Sequence, residues 1–165
     1  MLQQRAVAFT GPSGSGKTTT IEKIAKKLTQ DRKVVIIKHD PSDKAKFDTD
    51  GKDSHKFFNT GADVAVVSPT RTTLFSHTNR EVVEIAEMFG DFDLLIVEGL
   101  KYLLLPRIGI FRGEIIESYL PVVKALAVDH TIDLNKYKIS EDIKILDLND
   151  IDAIITWIDQ NSVEI

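Results

Sequence analysis

The chain has 165 residues, 42% of them apolar and 28% charged, with a net charge of −4 and no cysteine. This length predicts a single domain, residues 1–165, able to bury a core. The acidic balance argues against coating nucleic acid, and the absence of thiols excludes disulfides, thiolate metal sites and cysteine nucleophiles, as suits a cytoplasmic protein. No run approaches the ~20 apolar residues a membrane span needs, and the first strand starts by Arg5, too early for a signal peptide; no membrane association is expected.

RAVAFT (residues 5–10) reads as a short buried strand. The helix that follows residues 11–20, GPSGSGKTTT, has Ile21, Ile24, Ala25 and Leu28 at helical spacing, with Glu22, Lys23, Lys26 and Lys27 facing outward. KVVIIKH is a second, near-continuous β-branched run, the pattern of a strand inside a parallel sheet. Residues 40–56 are charged and poor in large apolar side chains, and predict a mobile loop running into a short helix that ends at Gly61. ADVAVVSP predicts a third strand, stopped by Pro69. Thr78 and Glu81 have capping-box spacing ahead of a helix with Val82, Ile85, Ala86 and Phe89 on one face and Gly90 at its end. DLLIVEGL is the most apolar strand. PRIGIFRGEII predicts a strand at a sheet edge, because Pro106 cannot donate to a ladder. KALAVD and IKILDL are two further strands, and Asn149 is placed to cap a last helix carrying Ile151, Ile154, Ile155 and Ile158 on one face.

Strands alternating with helices predict an α/β fold: a mostly parallel sheet with helices on both faces, of the P-loop NTPase kind. In such sheets ligands bind beyond the carboxyl ends of the strands. Residues 11–18, 38–40, 98–101 and 129–131 all fall there.

Gly11, Gly16, Lys17 and Thr18 satisfy G-x-x-x-x-G-K-[ST]. Glycines let backbone N–H groups converge on phosphate oxygens, so Gly11, Ser13, Gly14, Ser15, Gly16, Lys17, Thr18 and Thr19 form a candidate phosphate cradle. The new helix adds its partial positive end. Lys17 supplies a full charge to the terminal phosphates, and the Thr18 hydroxyl can bind Mg²⁺. The expected ligand is a nucleoside triphosphate with Mg²⁺.

Asp48-Thr49-Asp50-Gly51 has the D-x-x-G form of a nucleotide switch, in which Asp48 would hold Mg²⁺ and Gly51 sense a terminal phosphate; a plain turn reads equally well. Lys52 is a candidate phosphate contact and Asp53 a candidate cap of the next helix. Glu98, after Leu94-Leu95-Ile96-Val97, is a candidate to bind Mg²⁺ or orient an attacking water, against the alternative of an exposed strand end. Lys101 and Arg107 could form an anion-binding rim for a second ligand or be ordinary surface charge. His39 ends the second strand without metal-ligand spacing to other histidines. Phe57, Phe58 and Trp157 are expected in the core. Tyr102-Leu103-Leu104-Leu105 beside the presumed edge strand makes 102–116 a candidate dimer edge.

KHD at 38–40, DTDGKDS at 48–54, TGAD at 60–63 and VEGLK at 97–101, following the phosphate loop, resemble the molybdopterin-guanine dinucleotide biosynthesis protein B family, and the resemblance runs to ILDLNDIDAIITWI at 145–158. It implies a homodimeric, GTP-binding adaptor with Mg²⁺ and weak hydrolysis. The implied partners are the molybdenum cofactor guanylyltransferase that joins GMP to molybdopterin, and molybdopterin itself. The chain departs from the family at Pro41 and Ser42, where members often carry a second histidine.

The guanine-reading N-K-x-D is absent, since Asn135-Lys136-Tyr137-Lys138 lacks the aspartate. Asp129 is the candidate reader instead: a carboxylate matches the two donors of guanine N1 and N2. The alternative function is a small-molecule kinase using ATP; a third is a scaffold in which GTP only orders the 40–56 loop. Catalysis, if present, would rest on Lys17, Glu98 and Asp48 and be slow, below ~1 s⁻¹ without a partner.

Overall fold

The apolar run after Arg5 forms β1 (Arg5–Thr10), whose last five residues are buried. The structure is a computed structural model, and it describes residues 4–165. After β1 come α1 (Lys17–Leu28), β2 (Val34–Lys38), α2 (Asp53–Phe58), β3 (Val64–Val67), β4 (Thr72–Phe75) and α3 (Val82–Glu87). The chain then continues through β5 (Leu94–Glu98), β6 (Arg107–Phe111), β7 (Ala125–Val128), β8 (Lys144–Asp147), α4 (Ile151–Asn161) and β9 (Val163–Glu164). Two compact units emerge: Met1–His39 with Ala86–Ile165, and Asp40–Ile85.

The first unit is built on a parallel sheet in the order β2-β5-β1-β6-β7-β8, with β9 pairing antiparallel to the start of β1. The α/β expectation holds. β1 lies between β5 and β6, with Phe9 beside both Glu98 and Ile108. On one face Ile21, Ile24 and Leu28 of α1 and Ile154, Trp157 and Ile158 of α4 share a cluster with Val7, Phe9, Ile96 and Ile110. Each such side chain taken out of water contributes roughly 1.5–3 kcal/mol, so the sheet fixes where α1 begins and therefore where the loop before it must run. Alternate residues of β7 point the other way. Leu126 and Val128 join Phe111, Ile115 and Val123, and this second cluster is covered by 3-10 segments at Glu117–Val122 and Leu134–Lys136 rather than by an α-helix.

Two strand expectations change in the first unit. β6 is an interior strand with all five residues buried, paired to β1 and β7. Pro106 precedes it, so its missing N–H costs nothing, and its carbonyl accepts the Ala8 N–H at 2.8 Å. Hence 102–116 offers no open strand edge for a dimer; among the described residues the path ends at β2 and β8. β2, expected inside the sheet, is an edge strand with Ile36 43% exposed.

In the second unit β3 is not a strand of the parallel sheet. It forms an antiparallel pair with β4, closed by the Ser68 N–H donating to the Arg71 carbonyl at 2.9 Å. Phe58 stacks on His77 at 3.8 Å between ring centroids, whereas Phe57 is 58% exposed and not a core residue.

Helix starts also shift. α2 has Lys52, not Asp53, at its N-cap, and α4 is capped by Asp150, not Asn149, through the Ala153 N–H at 2.9 Å. At α3 the reciprocal bond is one turn further on, with the Glu84 carboxylate accepting the Glu81 N–H at 2.8 Å.

Candidate functional site

The carboxyl end of β1 opens directly into the glycine-rich loop, and α1 starts one residue after Gly16. Gly11 has φ +145° and lies against β6, where a Cβ would collide with the Ile110 carbonyl oxygen. Only glycine lets the chain turn this close to the neighbouring strand. Gly16, at φ +97°, occupies the N-cap of α1. The helix is secured there by the Thr20 N–H and hydroxyl, which both bond the Gly16 carbonyl, at 2.9 and 3.0 Å.

Two observations mark this loop as a place for an anion. The Ser15 hydroxyl oxygen is buried, its residue only 5% exposed, and has no hydrogen-bond partner. Such an atom costs free energy unless a ligand or water satisfies it. The Lys17 ammonium donates to the Pro12 carbonyl at 2.7 Å, folding its charge back over the loop. Burial lowers the Lys17 pKa below the ordinary lysine value; Glu98 pulls it back up and Lys38 presses it further down. Phosphate oxygens would restore the solvation that burial removes. The donor set therefore fits a polyphosphate. Thr18 and Thr19 are exposed at the start of α1, and Ser13 and Gly14 are exposed in the loop. Thr18 and Glu98 carry hard oxygen donors suited to Mg²⁺. Among the described residues no group of three or more His, Asp or Glu could hold a metal ion by itself; Mg²⁺ at a phosphate loop takes most of its ligands from the nucleotide and water.

Glu98 ends β5 in register with Phe9 and Lys38. His39 donates its N–H to the Glu98 carbonyl at 3.0 Å, and its Cβ packs 3.0 Å from where a Gly99 Cβ would stand. Beyond Glu98, Leu100 adopts φ +45°, a strained value for leucine. The segment is held from beneath by Arg107, whose guanidinium donates to the carbonyls of Gly99 at 2.6 Å, Leu100 at 2.9 Å and Leu103 at 3.1 Å. Arg107, read as either part of an anion-binding rim or ordinary surface charge, is neither: it is buried, at 1% exposure, and its charge is committed to backbone carbonyls. Lys101 is exposed and sits 3.5 Å over the Tyr119 ring, a cation–π contact.

Asp129 follows β7. Its Oδ1 accepts the Thr131 hydroxyl at 2.6 Å and the Thr131 N–H at 3.3 Å. The Thr131 hydroxyl bond, with Gly113 N–H and the Arg112 charge nearby, holds its pKa below the ordinary carboxylate value.

Asp48, Gly51 and Lys52 belong to the second unit. The Lys52 N–H donates to the Thr49 carbonyl at 3.2 Å, so the D-x-x-G segment is a turn. Asp48 Oδ1 accepts from the Thr49 N–H at 2.8 Å and the Ser54 hydroxyl at 3.1 Å, while its buried Oδ2 has no hydrogen-bond partner.

The residue that sequence reading missed is Arg112, which follows β6. Its Nε lies 3.0 Å from where a Cβ on Gly16 would stand, so the guanidinium rests against the phosphate loop. With β6 taken as an edge strand, nothing placed its end beside Gly16; an interior β6 would have.

Comparison with known proteins agrees with this architecture. A family model described as molybdopterin guanine dinucleotide synthesis protein B matches residues 6–130. The molybdopterin-guanine dinucleotide biosynthesis adapter protein of Haemophilus influenzae is 32% identical over 165 residues, covering 93% of this chain and 86% of that protein. A Methanocaldococcus jannaschii protein of the same adapter description is 31% identical over 156 residues, covering 79% of this chain, and the chain spans only 65% of its length. Among solved structures, Bacillus subtilis MobB superposes with a TM-score of 0.77 at 23% identity over 95% of this chain and 98% of that one, a likeness of fold.

Proposed function

The chain belongs to the molybdopterin guanine dinucleotide synthesis protein B family, and on that premise we propose that it is a GTP- and Mg²⁺-binding adapter of molybdopterin guanine dinucleotide biosynthesis. In this reading it works in the cytoplasm as a homodimer, and its partner is the guanylyltransferase that joins GMP to molybdopterin. The observation that carries the nucleotide part is the orphaned Ser15 hydroxyl in a glycine-walled loop beside the folded-back Lys17.

The residues divide the work as follows. Lys17 leaves the Pro12 carbonyl and binds the terminal phosphates, while the N–H groups of residues 13–19 cradle them. Thr18 and Glu98 would hold Mg²⁺, which would neutralise phosphate charge. Glu98 also orients a water, and its strand end is kept in place by the Arg107 clamp on Gly99 and Leu100. Asp129 accepts from the guanine edge. Asp48 and Gly51 act as a switch segment of the second unit, supported by the partnerless buried Asp48 Oδ2; Lys52 is a candidate phosphate contact, and Lys101 a separate candidate anion contact for a second ligand. Positioning without a dedicated catalytic base gives slow turnover.

The kinase alternative gains no support. Small kinases commonly close an arginine-bearing helical lid, and none of the six arginines here stands on an α-helix. Among the described residues no helix is long and apolar enough to cross a membrane.

The test of the adapter reading is capture of the purified guanylyltransferase by this chain with GTP, with GDP and without nucleotide. GTP-enhanced capture that Lys17→Ala abolishes is expected; no capture under any condition would end the adapter reading.

A further inference from the structure

The loop after β1 is flanked unequally. On the β5 side stand Glu98 and Lys38, in register with each other. On the opposite side, β6 and β7 are followed directly by Arg112 and Asp129. Glu98, the residue read as holding Mg²⁺ and orienting water, ends β5 beside Phe9 of β1, so on that reading the terminal phosphates lie toward β5. A nucleotide anchored there extends its inner phosphate and nucleoside toward β6 and β7.

Arg112 is built to meet it. Its side chain is exposed, with the guanidinium lying along Gly16 at the first turn of α1. Its backbone is fixed by local bonds. The Glu114 N–H donates to the Arg112 carbonyl at 2.8 Å, and the Gly113 N–H donates to the Thr131 hydroxyl at 3.2 Å. That hydroxyl in turn donates to Asp129 at 2.6 Å. The turns after β6 and β7 are thereby tied together, and the guanidinium has a defined origin next to the phosphate loop.

We propose that Arg112 binds the inner, nucleoside-proximal phosphate of a bound nucleoside di- or triphosphate, and is not an arginine finger for the terminal phosphate. The assignment rests on the phosphate-loop reading and adds to it a cation on the side of the loop away from Glu98. A guanidinium offers two parallel N–H donors to phosphate oxygens, which an ammonium cannot reproduce.

The experiment is calorimetric titration with GTP and with GDP, each with Mg²⁺, of the wild-type chain, Arg112→Ala, Arg112→Gln, Arg112→Lys and Lys17→Ala. Arg112→Ala and Arg112→Gln are expected to weaken GTP and GDP by the same factor, roughly 10- to 100-fold, with Arg112→Lys recovering only part. Weakening of GTP alone would make Arg112 a terminal-phosphate finger and overturn the proposal, as would unchanged affinity for both nucleotides. A wild-type chain that binds neither, or a Lys17→Ala variant that binds both as well as wild type, would instead remove the phosphate-loop reading beneath it.

Discussion

The buried guanidinium of Arg107 donates a 2.6 Å hydrogen bond to the carbonyl of Gly99, the residue that follows Glu98. With its bonds to Leu100 and Leu103 it holds a left-handed leucine in place. Arg107→Ala would leave three carbonyls without this donor and open a void. A loss of about 3 kcal/mol in urea unfolding is expected. Arg107→Lys should recover less than half, because an ammonium cannot span all three carbonyls from one position. A loss below ~1 kcal/mol for the alanine variant would show that the segment holds itself.

Gly11 and Gly16 differ in what a side chain would strike. At Gly11 it meets the Ile110 backbone, which cannot step aside; at Gly16 it meets the end of the Arg112 side chain, which can swing away. Both positions have positive φ, so each alanine brings strain of roughly 1–3 kcal/mol. Gly11→Ala is expected to lower the melting temperature clearly more than Gly16→Ala. Equal losses would mean that φ strain alone decides.

Burial lowers the Lys17 pKa, Glu98 raises it and Lys38 lowers it. Phosphate binding needs the ammonium, so GDP affinity should decline with rising pH before an ordinary lysine would titrate. Lys38→Met removes a charge that disfavours the ammonium and should move this alkaline limb to higher pH. A limb that moves to lower pH, measured by GDP titration across the alkaline range, would contradict the assignment. The sign for stability is the reverse. The unfolded chain keeps the Lys17 proton longer, so this group favours folding increasingly as pH rises between its lowered value and 10.5.

Asp129 already accepts two bonds from Thr131 on Oδ1. Asp129→Asn keeps the shape but replaces an acceptor by a donor, so GTP should lose its advantage over ATP while the melting temperature changes little. An unchanged GTP preference would assign Asp129 only the structural task of tying the turn at Thr131.

Much of the first unit was legible because its strands are near-continuous apolar runs and its phosphate loop needs glycines that nothing else would require. Strand order was not. Pro106 argued for an edge, but it lies one residue before β6 and gives up no ladder bond. That misplacement hid both the burial of Arg107 and the position of Arg112. The pairing of β3 with β4 escaped notice because Thr72-Thr73-Leu74-Phe75 lacks the continuous apolar pattern of the sheet strands and its side chains remain half or more exposed in places. Helix caps slipped by one to three residues because several polar side chains precede each helix; before α4 Asp150 takes the Ala153 N–H, while the Asn149 N–H donates to Asp147.

The most direct test of the central claim is calorimetric titration of the chain with GTP and ATP, each with Mg²⁺, beside Lys17→Ala. The account predicts binding of GTP in preference to ATP, lost in the variant. Equal or ATP-favoured binding, or binding that survives Lys17→Ala, would contradict it.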